Sequence, residues 1–163
     1  MRVTKRTNIA MRVLMFCAGN PGRLVTKHEI AGRCNASENH LAQVINQLAQ
    51  LGFLSTQRGR NGGLTLALLG GEVVIGDVFR ALEAPVPLAE CFADVDNTCP
   101  LTRACRLRDA LAQAAQAFYA TLDPITLEDL VCDNADLMTI LAPKGPCRAK
   151  SGAGVLVNAG DLH

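Results

Sequence analysis

The chain has 163 residues, of which 49% are hydrophobic, 19% charged and only 4% aromatic. This composition is typical of one folded domain plus a long element, and it excludes disordered and collagen-like chains. The apolar N-terminal run is interrupted by Arg12 and by Gly19-Asn20-Pro21-Gly22, so we expect neither a membrane-spanning helix nor a signal peptide. We therefore expect a cytoplasmic protein without membrane partners.

The charge distribution and the cysteine content further limit the classes of protein that fit the sequence. The net charge of +1 conceals an asymmetry, because residues 1–80 carry ten Lys/Arg against four Asp/Glu, whereas residues 81–163 carry six against eleven. A basic first half indicates a polyanionic partner for that half alone. The chain has seven cysteines, which is an odd number, and no export signal is expected. Both observations favour metal or redox chemistry over a disulfide framework.

The first half of the chain has the pattern of a winged helix-turn-helix. Apolar spacing predicts a helix over residues 6–18, and a capping box from Thr26 to Glu29 starts a second helix that ends near Arg33. Ser37 is a suitable N-cap for a third helix, which Gly52 ends. Two alternating segments, 53–57 and 64–67, flank the turn Arg58-Gly59-Arg60-Asn61-Gly62-Gly63 and predict a β-hairpin with a basic tip.

The second half is predicted to be helical around a cysteine-bearing loop. A short helix over 74–82 precedes this loop, and a helix over 106–122 carries one apolar stripe that requires a partner surface. A further helix is expected from Thr126 to about Leu141. The fold class is thus mainly α with a small β-hairpin, a winged helix-turn-helix plus a long helix. The predicted divisions are a winged helix-turn-helix domain (1–82), a cysteine-bearing loop (83–105), a long helix with a C-terminal helix (106–142) and a flexible tail (143–163).

Polar residues on the third helix and at the hairpin tip are the candidate DNA-binding residues. The third helix is expected to expose a polar face, and its asparagines and glutamines can pair with adenine in the major groove. The residues on this face are Glu38, Asn39, His40, Gln43, Asn46 and Gln47. Arginines at a glycine-rich tip suit phosphates or the narrow minor groove. The alternatives are a solvated helix face and a plain hairpin turn. The predicted contacts are Ser37, Asn39, His40, Gln43, Asn46, Arg58, Arg60 and Asn61.

Three cysteines, Cys91, Cys99 and Cys105, lie within fifteen residues with C-x7-C-x5-C spacing. Three soft thiolates from one loop suit an iron-sulfur cluster or zinc, although the spacing matches neither common zinc sites nor common ferredoxin runs. The alternative is three unrelated reduced thiols. The remaining cysteines, Cys17, Cys34, Cys132 and Cys147, are expected to be inert. No catalytic triad, phosphate loop or paired-carboxylate signature is present in the sequence, so an enzyme is not expected.

Together these motifs resemble a known family, the winged-helix iron-sulfur transcription regulators that include IscR, RirA and NsrR. The resemblance spans about residues 1–142. Within the family, the segment from Glu38 to Phe53 is most similar to the nitric-oxide-sensitive NsrR repressors, while Thr7-Asn8 and Ala89-Glu90-Cys91-Phe92 are equally similar to the iron-responsive RirA regulators. The motifs that carry the resemblance are residues 1–8, Asn39-His40-Leu41, the hairpin tip, Ile75-Gly76-Asp77-Val78 and the cysteine loop.

The resemblance implies a homodimeric repressor that binds double-stranded operator DNA and responds to nitric oxide. It implies that residues 1–82 are the DNA-binding domain, that 83–105 are the cluster-binding loop and that 106–142 contain the long dimerisation helix, 106–122, and the C-terminal helix. It implies a 2Fe-2S or 4Fe-4S cluster bound by Cys91, Cys99 and Cys105. In characterised NsrR-like members a partner aspartate supplies the fourth ligand, and here Asn8 of the partner subunit stands at that place, although an amide is a poorer iron ligand than a carboxylate. Water, a small thiol or another side chain are the alternatives. Alternative functions are an iron-responsive or cluster-status regulator of the same family, a zinc-stabilised winged helix and a redox interaction protein.

Overall fold

The computed structural model describes residues 3–83, 87–93 and 97–141. Within these ranges the chain forms seven α-helices, one two-stranded antiparallel sheet and three short 3₁₀ turns, which confirms the mainly α winged-helix fold. None of the described helices is long and apolar enough to cross a membrane. In chain order the elements are α1 (Lys5–Ala18), α2 (Lys27–Cys34), α3 (Glu38–Gln50), β1 (Leu54–Gln57), β2 (Gly63–Leu66), α4 (Ile75–Glu83), α5 (Arg106–Leu122), α6 (Leu127–Val131) and α7 (Ala135–Leu141).

Helices α2 and α3 form the helix-turn-helix, and most of the start and stop residues predicted from the sequence are found at their ends. The capping box at α2 is confirmed, because Thr26 Oγ1 accepts a hydrogen bond from the Glu29 N–H at 3.2 Å while Glu29 accepts one from the Thr26 N–H at 2.7 Å. The left-handed residue Asn35, with φ of 47°, ends α2. Ser37 occupies the N-cap position of α3, but its hydroxyl pairs with His40 Nδ1 at 2.9 Å and makes no capping bond.

The wing is attached to the helix-turn-helix by its second strand. In the hairpin, Leu54 pairs with Leu66 and Gln57 with Gly63. Val25 and Leu64 exchange two backbone hydrogen bonds of 2.9 and 2.8 Å, which join the wing to the segment before α2. A Cβ at Gly63 would lie 2.7 Å from the Val25 carbonyl oxygen, so this close approach requires glycine.

The hydrophobic core includes residues from both halves of the chain. Leu14 and Leu48 are fully buried in the N-terminal half, and Leu127 of α6 is equally buried. Backbone hydrogen bonds from Leu127 to Val73 (2.8 Å) and from Ile75 to Ile125 (2.9 Å) hold the C-terminal segment against the same core. Thus α6 and α7 pack on the winged helix.

The prediction of one helix from Thr126 to Leu141 is wrong, because the segment forms the two helices α6 and α7. Asp133 adopts a left-handed backbone conformation with φ of 62°, which a continuous helix does not tolerate. Asn134 then restarts the helix, since its side-chain oxygen accepts the Leu137 N–H at 3.1 Å. The predicted flexible tail, 143–163, lies outside the described residues.

Side-chain contacts between α4 and the C-terminal part of α5 connect the winged helix to the long helix. Both terminal nitrogens of Arg80 donate to the Asp123 carboxylate at 2.7 Å, and the Arg80 guanidinium lies 4.8 Å from the centroid of the Tyr119 ring. Phe79 and Phe118 pack edge to face with ring centroids 5.7 Å apart. Gly76 leaves room for the ion pair, because a Cβ there would collide with Asp123 Oδ1.

We expect the substitution Gly76→Ala to lower the unfolding temperature, because the new methyl group displaces the Asp123 carboxylate from Arg80. A helical glycine without such a neighbour behaves in the opposite way, and replacing it with alanine adds about 0.5–1 kcal/mol of stability. Gly32 of α2 is the matched control, since its Cβ would meet no atom within 4 Å. Thermal unfolding followed by circular dichroism compares the two. Equal stabilisation by both substitutions would contradict this role of Gly76.

Candidate DNA-binding surface and cysteine loop

Helix α3 presents a polar face to solvent and an apolar face to the core. Leu41, Val44, Ile45 and Leu48 are buried, which fixes the orientation of the helix. The predicted contact residues of this helix are all exposed: Ser37, Asn39, His40, Gln43 and Asn46. Gln47 was also expected on the exposed face, but it is half-buried, and its Oε1 has no hydrogen-bond partner in the described part of the chain.

The one acidic residue in the first turn of α3 is neutralised by α2. Glu38 contacts His28 Nδ1 at 3.1 Å and Lys27 Nζ at 3.2 Å. The hydrogen bond from His28 and that from Lys27 hold the pKa of the Glu38 carboxyl below its ordinary value. The carboxylate is therefore paired within the protein, which reduces its repulsion of a nearby phosphate.

The tip of the wing carries two exposed arginines, Arg58 and Arg60, beside the exposed Asn61. Across residues 3–83, 87–93 and 97–141, neither arginine forms an ion pair with an acidic side chain. Gly62 sits against the backbone, because a Cβ there would collide with the Gln57 carbonyl oxygen. The tight turn therefore projects two uncompensated positive charges, which suits contact with a polyanion.

A cleft of about 230 Å³ lies between the start of α1 and the turn before α3. The exposed Asn8 lines it together with side chains from the helix-turn-helix. Sequence spacing did not predict this juxtaposition, because Asn8 and His40 are 32 positions apart and only the packing of α1 on α3 brings them together. The lining residues are Lys5, Asn8, Ile9, Arg12, Asn35, Ala36, Ser37 and His40.

The three loop cysteines occupy different local structures. Cys91 lies in a 3₁₀ turn, Cys99 lies in a stretch without regular secondary structure, and Cys105 is the N-cap residue of α5. All three are half-buried free thiols. The backbone around Cys99 is fixed on both sides, because its N–H donates to Asn97 Oδ1 at 3.1 Å and its carbonyl accepts from Thr102 Oγ1 at 2.9 Å.

The donor set of this loop fits a thiolate-bound metal centre. Three free thiols are soft ligands, and Cys105 lies at the N-terminus of the 17-residue helix α5, where the helix dipole favours negative charge. In the described ranges, however, no three His, Cys, Asp or Glu side chains lie close enough together to hold one metal ion. The structure thus places the ligand candidates on one loop without gathering their thiols.

The other cysteines differ from the loop cysteines in their surroundings. Burial raises the pKa of the Cys17 thiol to about 12, and burial also raises the pKa of Cys34, which lies at the end of α2. Both are therefore poor nucleophiles, as expected of inert thiols. Cys132 was expected to be an inert thiol as well, but it is disulfide-bonded. Cys147 lies outside the described residues.

A helix-turn-helix with a polar recognition face, followed by a wing with a basic tip, defines a winged-helix DNA-binding protein. The Rrf2 family, described as iron-dependent transcriptional regulators, matches residues 3–133. The chain belongs to the Rrf2 family, and it is a DNA-binding transcriptional regulator, not an enzyme.

Similar proteins agree with this assignment. The transcriptional regulator NsrR of Geobacillus kaustophilus is 44% identical over 142 residues, which cover 86% of this chain and 97% of the relative. NsrR of Bacillus subtilis is 39% identical over 145 residues, or 88% and 99% of the two chains. The solved structure of CymR, the global cysteine regulator of B. subtilis, shares the fold with a TM-score of 0.63 at 24% identity, covering 80% of this chain and 96% of that one.

Proposed function

We propose that this protein is a repressor whose affinity for operator DNA is controlled by an iron-sulfur cluster and that nitric oxide is the signal. The observation that carries the proposal is the loop of three free, half-buried thiols, Cys91, Cys99 and Cys105, which leads directly into α5. The family description as iron-dependent regulators supports the metal, and the similarity to proteins named NsrR supports the signal. Operator binding places the protein in the cytoplasm.

The proposed assembly is a homodimer formed through α5. None of the 17 residues of this helix is buried in the single chain, and Leu107 is 66% exposed. The end of the helix packs on α4 through Phe118, whereas Leu107 at its start is uncovered, and apolar surface left exposed in this way is suited to pairing with a second copy. In such a dimer the two α3 helices enter successive major grooves about one helical turn apart, and Arg58 and Arg60 contact phosphates or the minor groove. Residues 1–82 form the DNA-binding unit of this proposal.

The cysteine loop connects this dimer helix to the winged helix. A 2Fe-2S or 4Fe-4S cluster supplies iron that nitric oxide can attack, and the three thiolates are its proposed ligands. Asn8 of the partner subunit is the candidate fourth ligand. Because the loop continues directly into α5, its conformation affects the orientation of α5 and hence the separation of the two recognition helices. A coupling of roughly 1–3 kcal/mol changes operator affinity about 5- to 150-fold, which is enough to switch a promoter.

The proposal predicts different roles for the wing and the recognition helix. The substitution Arg60→Ala is expected to weaken binding to operator and random DNA alike and to lower the salt slope by about 1, because a phosphate contact is lost. The substitution Gln43→Ala is expected to relax sequence preference by about 1–3 kcal/mol, because a base contact is lost. Fluorescence anisotropy on both DNAs at several salt concentrations measures these effects.

The control for this pair is Gln113→Ala, since Gln113 is exposed on the face of α5 opposite its apolar stripe and therefore belongs to neither the proposed DNA surface nor the proposed dimer contact. It should bind both DNAs as the unmodified protein does. Equal losses on operator and random DNA for Gln43→Ala would show that Gln43 reads no base.

The metal part of the proposal is tested by purifying the protein without oxygen and measuring iron and sulfide per chain. We expect both elements, a brown colour, and tighter operator binding before iron chelation than after it. A colourless zinc protein whose operator affinity does not respond to chelation would replace the proposal with a zinc-stabilised winged helix. A response to iron supply is the second candidate signal, and the family description favours it.

A further inference from the structure

The side chain of Glu90 links the backbone around Cys91 to the backbone around Cys99. Glu90, which precedes Cys91, accepts hydrogen bonds from the backbone N–H and the hydroxyl of Thr98 at 2.7 and 2.6 Å. Thr98 immediately precedes Cys99. These two short bonds therefore link the surroundings of the first and second cysteines, across the part of the loop that separates them in sequence.

Arg108 links the first cysteine to the third. Its backbone N–H donates to the Cys105 carbonyl at 3.1 Å, and its side-chain Nε donates to the Cys91 carbonyl at 3.1 Å. Its guanidinium carbon also lies 5.2 Å from the centroid of the Phe92 ring. One residue in the first turn of α5 therefore contacts both ends of the cysteine loop.

Glu90 and Arg108 can affect the affinity of the loop for a metal without being ligands themselves. A guanidinium is protonated and has no lone pair for a metal, and the position of the Glu90 carboxylate is set by Thr98, which donates both of its hydrogen bonds to Oε1. A flexible loop that becomes ordered only when it binds loses conformational entropy, and this loss lowers its affinity. Contacts that order the backbone beforehand reduce the loss.

We propose that Glu90 and Arg108 are positioning residues that keep the backbone segments around Cys91, Cys99 and Cys105 close to one another before metal binds, so that the three thiols gather when the metal binds. The inference rests on the proposed function, because it takes these cysteines to be the ligands. It adds two residues that act through hydrogen bonds to the loop and that the C-x7-C-x5-C spacing does not reveal.

The test is a titration of the metal-free, full-length protein with Co²⁺ in the presence of a competing chelator and without oxygen. The absorption band from thiolate to cobalt reports both the affinity and the number of bound thiolates. We expect Glu90→Ala and Arg108→Ala each to weaken Co²⁺ binding about tenfold, in line with the loss of hydrogen bonds to or from a charged group. We expect Glu90→Gln to recover most of the affinity, because its amide oxygen still accepts from Thr98.

The matched control is Arg106→Ala, because Arg106 is exposed in the same turn of α5 and makes no side-chain hydrogen bond in the described part of the chain. Hydrogen exchange of the metal-free variants gives a second readout, and residues 97–105 should exchange faster in the two alanine variants. Co²⁺ affinity and exchange equal to those of the unmodified protein would overturn the inference, provided that Cys99→Ala still loses the band. A band that survives Cys99→Ala, Cys91→Ala and Cys105→Ala would instead overturn the proposed metal site.

Discussion

The substitution Cys99→Ala is expected to abolish cluster binding and to weaken operator binding between about 5- and 150-fold, to the level of cluster-free protein. Cys99 is a free, half-buried thiol whose backbone is fixed by Asn97 and Thr102, so alanine removes a proposed ligand without removing these bonds. The measurement is operator affinity under nitrogen, with iron counted on the same sample.

The control is Cys34→Ala, which removes a buried thiol outside the loop. This variant should keep its iron and its operator affinity. If Cys99→Ala kept the operator affinity of the cluster-loaded protein while remaining folded, control of DNA binding by the loop would be wrong.

The substitution Leu127→Ala is expected to destabilise the protein by about 2–5 kcal/mol, the usual range for removing a fully buried leucine side chain. Leu127 is 0% exposed, although it lies 45 residues beyond Leu82, the last buried residue of α4. Its loss should lower the urea midpoint of the winged helix itself, because α6 packs in the same core as α1. Urea unfolding followed by circular dichroism measures the change.

Ile140→Ala is the control for this prediction, since Ile140 is 53% exposed on the neighbouring helix α7. A change below about 0.5 kcal/mol is expected for this exposed position. Equal effects of the two substitutions would indicate that α6 contributes little to the core.

Local signals in the sequence predicted the DNA-binding half well. The Thr26 capping box, the apolar spacing of α3 and the glycine-rich turn at Arg58 to Gly63 each act within a few residues, so each can be read without knowledge of the fold. The exposure of Gln43 and Asn46 followed directly from the burial of the opposite face of α3.

Features that depend on distant contacts were not predictable in this way. Half-burial of Gln47 depends on what packs beside α3, and the need for glycine at Gly76 depends on Asp123, which is far away in sequence. The break at Asp133 was missed because its backbone conformation is left-handed without a glycine to signal it. The hydrogen bonds of Glu90 with Thr98 and of Arg108 with Cys91 likewise join residues that are eight and seventeen positions apart.

Control of DNA binding by a cluster that senses nitric oxide is tested most directly by an anaerobic titration of the purified protein with nitric oxide, with absorbance and operator binding recorded on the same samples. We expect a brown protein that bleaches in proportion to added nitric oxide and releases operator DNA over the same range. Release of DNA on iron chelation but not with nitric oxide would make iron supply the signal. Operator binding that is unchanged by either treatment would contradict control by a cluster.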